Sequence, residues 1–117
     1  MKKIEIDTHR MVNSIQSLKE ELERLTRRGE LVAAIPEINA LNPEVYVTRA
    51  RADMNWGDAW CVTFQFDRCY ARIFDCCRIL FVHVDDEYGN GYKEELVTAY
   101  EDEDFVKEFK NHAEFLK

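Results

Sequence analysis

The chain has 117 residues and a mass of 13.9 kDa, with 46% apolar residues, 33% charged residues, four glycines and two prolines. This composition predicts one folded domain over residues 1–117 and excludes a disordered or fibrous protein. No apolar run reaches the roughly 18 residues of a membrane span, and the first residues lack the apolar segment of a signal peptide, so we expect a cytoplasmic protein.

The net charge of −7 is concentrated towards the end of the chain. Residues 1–84 carry 12 acidic and 12 basic side chains, whereas residues 85–117 carry 11 acidic and four basic ones. Nine of those carboxylates fall within residues 85–104: Asp85, Asp86, Glu87, Glu94, Glu95, Glu101, Asp102, Glu103 and Asp104. A segment of this charge repels nucleic acids and anionic membranes and attracts basic protein surfaces.

The first predicted elements are a short strand at residues 4–6 and a long helix. Asp7 or Thr8 is suited to cap the helix, which we expect to run to about Arg28 and to stop at Gly29.

Apolar residues recur every three or four positions along this helix: Met11, Ile15, Leu18, Leu22 and Leu25. The spacing is typical of a helix that packs on its own sheet. It is also typical of a helix that pairs with another helix, so a homodimer through residues 11–25 is an alternative hypothesis.

An antiparallel hairpin is predicted in the middle of the chain. Residues 31–43 are expected to form an ordered connector in which Pro36 opens one helical turn. Residues 45–52 and 60–66 are rich in β-branched and aromatic side chains, and residues 55–58 between them supply turn-forming types.

Three further segments complete the predicted sheet. Residues 79–84 form an apolar run that predicts an interior strand covered on both faces. Residues 67–77 fit a strand somewhat better than a helix, and residues 93–100 fit either a short helix or a last strand.

A final helix is predicted from Asp102 or Asp104, as its cap, to about Leu116, with Phe105 and Phe109 on its buried face. Together these elements predict an α+β fold with a long N-terminal helix, an antiparallel sheet of three to four strands and a C-terminal helix.

The cysteines offer weak evidence for catalysis or metal binding. Their positions are Cys61, Cys69, Cys76 and Cys77. The spacing matches no zinc motif, and the apolar neighbours favour core packing.

A small metal-dependent or thiol enzyme remains an alternative. His83, Asp85 and Glu87 follow each other at every second position after a predicted strand, so they would share one face. A cysteine would need a histidine beside it to act as a nucleophile. The segment from Asp86 lacks the acidic ligands of a calcium-binding loop, and the chain has no phosphate-binding glycine motif.

Arginines are frequent in the predicted sheet, at Arg49, Arg51, Arg68, Arg72 and Arg78. With Trp56 and Trp60 they would suit an RNA-binding sheet if one face carried them all. The many acidic residues after position 84 favour charge balance across strands instead.

The acidic segment therefore favours a small, non-enzymatic protein that blocks the basic nucleic-acid-binding groove of a larger protein. Duplex DNA presents one negative charge per ~1.7 Å of its axis, and carboxylates on a folded scaffold imitate that array without losing chain entropy on binding. Tyr88, Tyr92 or Tyr100 would add central contacts. No cofactor or metal is expected.

In size and charge layout the chain resembles the DNA-mimic and anti-CRISPR inhibitors of phages and mobile elements. Those proteins share a strategy and no common motif, so the resemblance assigns no residue a role. Charged segments also occur as merely solvated faces, and this alternative stays open.

Overall fold

A computed structural model of the chain describes residues 8–51, 57–75, 77–84 and 92–117, with the backbone alone for residues 8–15, 84 and 92. The elements in chain order are α1 (Thr8–Ala33), α2 (Pro36–Asn39), β1 (Glu44–Ala50), β2 (Ala59–Gln65), β3 (Cys69–Phe74), β4 (Arg78–Val84), β5 (Tyr92–Thr98) and α3 (Asp102–Asn111). They confirm the predicted α+β fold, its hairpin and the helical turn at Pro36.

Within the described ranges the sheet has five strands, so the expected number of three to four was wrong. The strands lie in chain order and each is antiparallel to its neighbours, which leaves β1 and β5 at the two edges. The two ambiguous segments supply the difference, because both form strands. The consecutive charges of Lys93, Glu94 and Glu95 obscured β5, although an edge strand tolerates them.

The main core lies between one face of the sheet and the helices α1 and α3. Phe109 of α3 contacts Phe64 of β2 and Phe81 of β4, with ring centroids 5.3 and 5.1 Å apart. All three rings are fully buried. They fix α3 above the middle of the sheet, since aromatic pairs contribute both area and preferred geometry.

A smaller apolar cluster lies on the opposite face and includes Leu80 and Val82 of β4. Ile79 and Phe81 of the same strand face the main core. This alternation confirms that β4 is an interior strand covered on both faces.

The helix α1 does not stop at Gly29, as predicted, but continues to Ala33. Gly29 is buried, and a Cβ atom there would lie 3.0 Å from Val62 Cγ1. The glycine therefore permits a close approach of α1 to β2, where the sequence had suggested a helix end.

The limits of α3 also differ from the prediction. Glu101 occupies the N-cap position that we assigned to Asp102 or Asp104, and the helix ends at Asn111. Leu116 is nevertheless buried, because the chain continues through turns that keep it in the main core.

No helix within the described ranges is long and apolar enough to cross a membrane. The predicted strand at residues 4–6 and the turn positions 55 and 56 lie outside the described residues.

Candidate functional site

The predicted acidic binding residues are distributed over three places. Asp85, Asp86 and Glu87 lie outside the described residues. Two of the remaining carboxylates are on β5, and four follow it as a continuous run: Glu101, Asp102, Glu103 and Asp104. We call this run the acidic start of α3.

Glu94 and Glu95 are both exposed, but they lie on opposite faces of the sheet. In the strand register Glu95 is opposite Phe81, whose ring faces the helices, and Glu94 is opposite Val82 on the other face. These two carboxylates therefore do not form one patch with each other.

One carboxylate of the acidic start caps the helix. The Glu101 N–H donates to Asp104 Oδ2 at 3.0 Å, and the Asp104 N–H donates to the Glu101 carbonyl oxygen at 2.9 Å. The Tyr100 N–H donates to the same oxygen at 3.3 Å. These backbone hydrogen bonds lower the pKa of Asp104, because they stabilise its charged form.

Asp102 belongs to a network of arginines and aspartates that joins α1 to α3. Arg28 Nε donates to Asp102 Oδ1 at 3.0 Å, and the Arg27 guanidinium is 3.3 Å from the other oxygen. The Arg28 side chain is only 11% exposed, and its guanidinium stacks on the ring of Phe105 at 4.5 Å. Asp102 thus holds the start of α3 against α1.

The same network reaches the turn between β3 and β4 through Asp75. Arg24 donates to both Asp75 oxygens, at 3.1 and 2.8 Å, and these contacts raise the arginine pKa. The buried Nη1 of Arg28 lies 3.6 Å from Asp75, an ion-pair distance rather than a hydrogen bond. The sequence does not reveal this network, because Arg24 and Arg27 also stand four positions after Glu20 and Glu23 on the same helix, a spacing that suits local ion pairs.

Glu95 is held at the far end of α3 by His112. The His112 Nε2 atom is 3.1 Å from Glu95 Oε2, and its Nδ1 atom is 2.7 Å from the carbonyl oxygen of Glu108. The imidazole is parallel to the Phe81 ring at a centroid distance of 4.0 Å. These contacts fix the His112 imidazole in position, and the imidazole in turn holds the exposed carboxylate of Glu95.

The residues of the enzyme alternative are only partly described. Asp85 and Glu87 lie outside the described ranges, and no group of three potential metal ligands occurs within them. Cys69 lies opposite His83 in the strand register, yet its thiol is buried and donates to the Leu116 carbonyl at 2.9 Å. Burial raises the pKa of Cys69, which disfavours the reactive thiolate.

Cys61 is also fully buried, and burial raises its pKa in the same way. Cys77 lies in the turn between β3 and β4, and Cys76 is outside the described residues. The two strand cysteines therefore behave as core residues.

The arginines of the sheet do not share one face. Arg49 lies over the Trp60 ring on the side of the helices, whereas Arg72 bonds Thr63 and stacks on Tyr70 on the opposite side. This division does not provide the single basic face that an RNA-binding sheet needs.

The apolar stripe of α1 is only partly used by the core. Leu25 is fully buried and Leu22 packs at the edge of the core, but Leu18 is 39% exposed. The side chains of Met11 and Ile15 are outside the described set. A second apolar area, which the sequence analysis missed, lies beside this stripe on β1, where Val45 and Val47 are exposed on the face of the sheet that carries the helices. Tyr46 is exposed on the opposite face.

Comparisons of the chain with protein-family models, with curated proteins and with solved structures found no match.

Proposed function

We propose that the protein is a small, non-enzymatic binding protein whose acidic residues occupy the basic nucleic-acid-binding groove of a larger protein. The observation that supports this most is the acidic start of α3, where four consecutive carboxylates are attached to a defined scaffold. The proposal keeps the predicted cytoplasmic location, with which the free thiols of Cys61 and Cys69 are compatible.

The scaffold matters because a rigid charge pattern loses little entropy on binding. Asp102 is bonded to Arg28, and Asp104 is bonded to the backbone of the preceding turn. Glu101 and Glu103 share this fixed turn and are exposed. They are the residues from which we expect phosphate-like contacts with a basic partner.

Glu95 adds a second fixed carboxylate beside the end of α3, through its contact with His112. Glu94 lies on the other face of the sheet and is expected to contribute to long-range attraction only. Asp85, Asp86 and Glu87 stay in the proposal as sequence-predicted contacts.

The test is a comparison of two variants with equal charge change. The pair Glu101→Lys and Glu103→Lys removes the exposed charges but leaves Asp102 and Asp104, which hold the fold. The control pair is Glu20→Lys and Glu114→Lys, two exposed residues, the first on α1 and the second in the turns that follow α3. Each variant is used to capture proteins from nuclease-treated lysate of the source cells.

We expect the wild type and the control to retain nucleic-acid-binding proteins that duplex DNA competes away, and the Glu101/Glu103 variant to lose them. Retention should fall steeply between about 50 and 200 mM salt, because the contacts are ionic. Equal capture by both variants would refute the proposal, and so would capture that added DNA does not reduce.

A further inference from the structure

The end of α3 is joined to the edge strand β5 by His112. This residue is the C-cap of α3, and its side chain is only 11% exposed. Its Nε2 atom lies 3.1 Å from Glu95 Oε2, and its Nδ1 atom lies 2.7 Å from the carbonyl oxygen of Glu108. Both ring nitrogens are therefore within hydrogen-bond distance of an oxygen atom.

These two oxygens require a proton on each nitrogen. A carbonyl oxygen can only accept a hydrogen bond, so Nδ1 of His112 is the donor to Glu108. A carboxylate also can only accept, and the Glu95 side chain is 53% exposed, where water stabilises its ionised form. Nε2 must then donate as well, which makes the ring an imidazolium.

The face of the ring also lies in a setting that suits a cation. The imidazole is stacked on the Phe81 ring, with 6° between the planes and 4.0 Å between the centroids. The face of an aromatic ring carries partial negative charge and attracts cations. Burial by itself opposes a charge, and this stacking offsets it together with the two oxygen contacts.

The titratable groups around the imidazole come from three elements. Two carboxylates contact the ring directly and favour its positive charge: Glu95 of β5, and Glu108 of α3, whose Oε2 atom is 3.8 Å from Nδ1. His83 of β4 lies on the same face of the sheet as Phe81, and Lys93 of β5 is opposite His83 in the register. These two residues are one step of two positions beyond the Phe81–Glu95 pair.

We propose that His112 is a pH-sensitive clasp, which holds the end of α3 to β5 while the imidazole carries two protons and opens when it loses one to the solvent. The proton that leaves is the one on Nε2, because the Nδ1–H group stays bonded to the carbonyl oxygen of Glu108. The lone pair of Nε2 then faces the Glu95 carboxylate, and two acceptors at this distance repel each other. The proposal is independent of the acidic binding function.

Opening of the clasp affects the chain that follows α3. The carbonyl oxygen of His112 accepts the Leu116 N–H at 3.0 Å, and Leu116 is buried in the main core. The Leu116 carbonyl oxygen in turn accepts from the Cys69 thiol at 2.9 Å. Residues 112–116 are thus docked on the sheet at both ends, and the loss of the Glu95 contact loosens one of them.

The first experiment observes the protons of the ring directly. The full chain is labelled with 15N, and the His112 nitrogens are followed in long-range 1H–15N NMR spectra from about pH 5 to 8. Contacts with the Phe81 ring assign the signals. We expect both nitrogens to carry a proton at the acidic end of the series and Nδ1 alone to carry one at the alkaline end.

The variant Glu95→Gln tests the partner of the ring. The introduced amide accepts from a protonated Nε2 and donates to an unprotonated one, so the contact forms in either state of the ring. We expect the ring to bind its second proton about two- to fivefold more weakly, because an exposed ion pair is lost. The matched control is Glu94→Gln, which removes the same charge from the opposite face of β5 and should leave the proton affinity nearly unchanged.

Hydrogen exchange of the Leu116 N–H measures the loosening of residues 112–116. The chains are compared at one pH above the step at which His112 loses its proton, so that the intrinsic exchange rate is the same for all. We expect Leu116 to exchange about two- to fivefold faster in the wild type and in Glu94→Gln than in Glu95→Gln. Below that step the three chains should exchange at the same rate.

Several results would overturn the proposal. A ring that carries one proton throughout the pH series would do so, and so would a neutral ring protonated on Nε2. Equal proton affinities in the wild type and Glu95→Gln, or an equal loss in Glu94→Gln, would show that Glu95 is not the partner. Equal exchange of Leu116 in the wild type and Glu95→Gln at the higher pH would show that the ring does not hold this segment. The Glu101/Glu103 variant should keep the wild-type titration of His112, which separates this test from that of the acidic function.

Discussion

The two edges of the sheet are built from opposite kinds of residue. β5 carries Lys93, Glu94 and Glu95 in succession, and His112, the residue that follows α3, contacts Glu95. β1 carries exposed apolar residues and no covering helix among the described elements. Charges resist pairing with another strand, whereas apolar residues permit it. The comparison shows that the same sheet ends in a charged strand on one side and in a half-exposed apolar strand on the other.

The largest expected effect is a difference in the stability lost when an apolar side chain is shortened under α3 and at the β1 edge. Phe109→Ala removes the ring that anchors α3 over Phe64 and Phe81 and should lower the free energy of unfolding by about 3–5 kcal/mol. Val45→Ala on β1 should cost less than about 1 kcal/mol. Urea unfolding of the two variants and the wild type measures the contrast. Similar losses at the two sites would show that β1 is not an open edge.

The ion-pair network should show a smaller contrast within a single helix. Arg28→Met removes a nearly buried guanidinium that bonds Asp102 and should cost about 1–3 kcal/mol. Arg27→Met removes an exposed partner of the same carboxylate and should cost less than about 0.5 kcal/mol. Thermal and urea unfolding of the two variants measure the difference. Equal effects would mean that burial does not set the strength of this link to α3.

The close contact of Gly29 with Val62 places α1 over β2 and not over β1, and substitutions at these two residues test this explanation. Gly29→Ala gains about 1 kcal/mol of helix propensity but forces a methyl group against Val62, at a cost of about 1–3 kcal/mol. We expect a net loss of about 1 kcal/mol. In a Val62→Ala background the same change should become stabilising. If the sign does not reverse, contact with β2 is not what fixes the position of α1.

The smallest expected effect is the acid dependence of the cap at Asp104. Because its pKa is lowered in the folded chain, its contribution is complete above the ordinary carboxyl pKa of 3.8 and is lost as the pH falls from there through the lower folded-state pKa. Asp104→Asn should therefore lower the melting temperature slightly near neutrality and leave it unchanged well below the folded-state pKa, so that the variant loses less stability with acid than the wild type. The melting temperatures of the wild type and the variant are measured over the same pH series. Identical slopes for the two proteins would contradict the prediction.

The sequence predicted those elements whose signal is local. The alternation in β2 and the apolar run of β4 reflect faces that are buried in the folded chain, and the periodicity of α1 reflects one that is buried at Leu25 and Val32. β5 stayed ambiguous because its exposed edge carries charges, which local rules do not associate with strands. Gly29 was interpreted as a helix end because its contact with Val62 exists only in the tertiary structure.

The candidate surfaces also depend on tertiary contacts that local sequence patterns do not reveal. The density of carboxylates was visible in the sequence, but which of them are bonded within the fold and which are exposed was not. Asp104 caps a helix and Asp102 bonds an arginine 74 positions away, whereas Glu101 and Glu103 stay exposed. Likewise, the apolar residues 45–47 indicated a strand, but strand order decides whether such a strand is interior or an edge.

The order of the strands has a consequence for the route of folding. Each strand pairs with the next one along the chain, so the sheet can form one hairpin at a time from short-range contacts. The bond between Arg28 and Asp102 instead closes a loop of 74 residues, which costs more chain entropy and should come late. Arg28→Met should accordingly accelerate unfolding and leave the refolding rate nearly unchanged, as stopped-flow measurements would show.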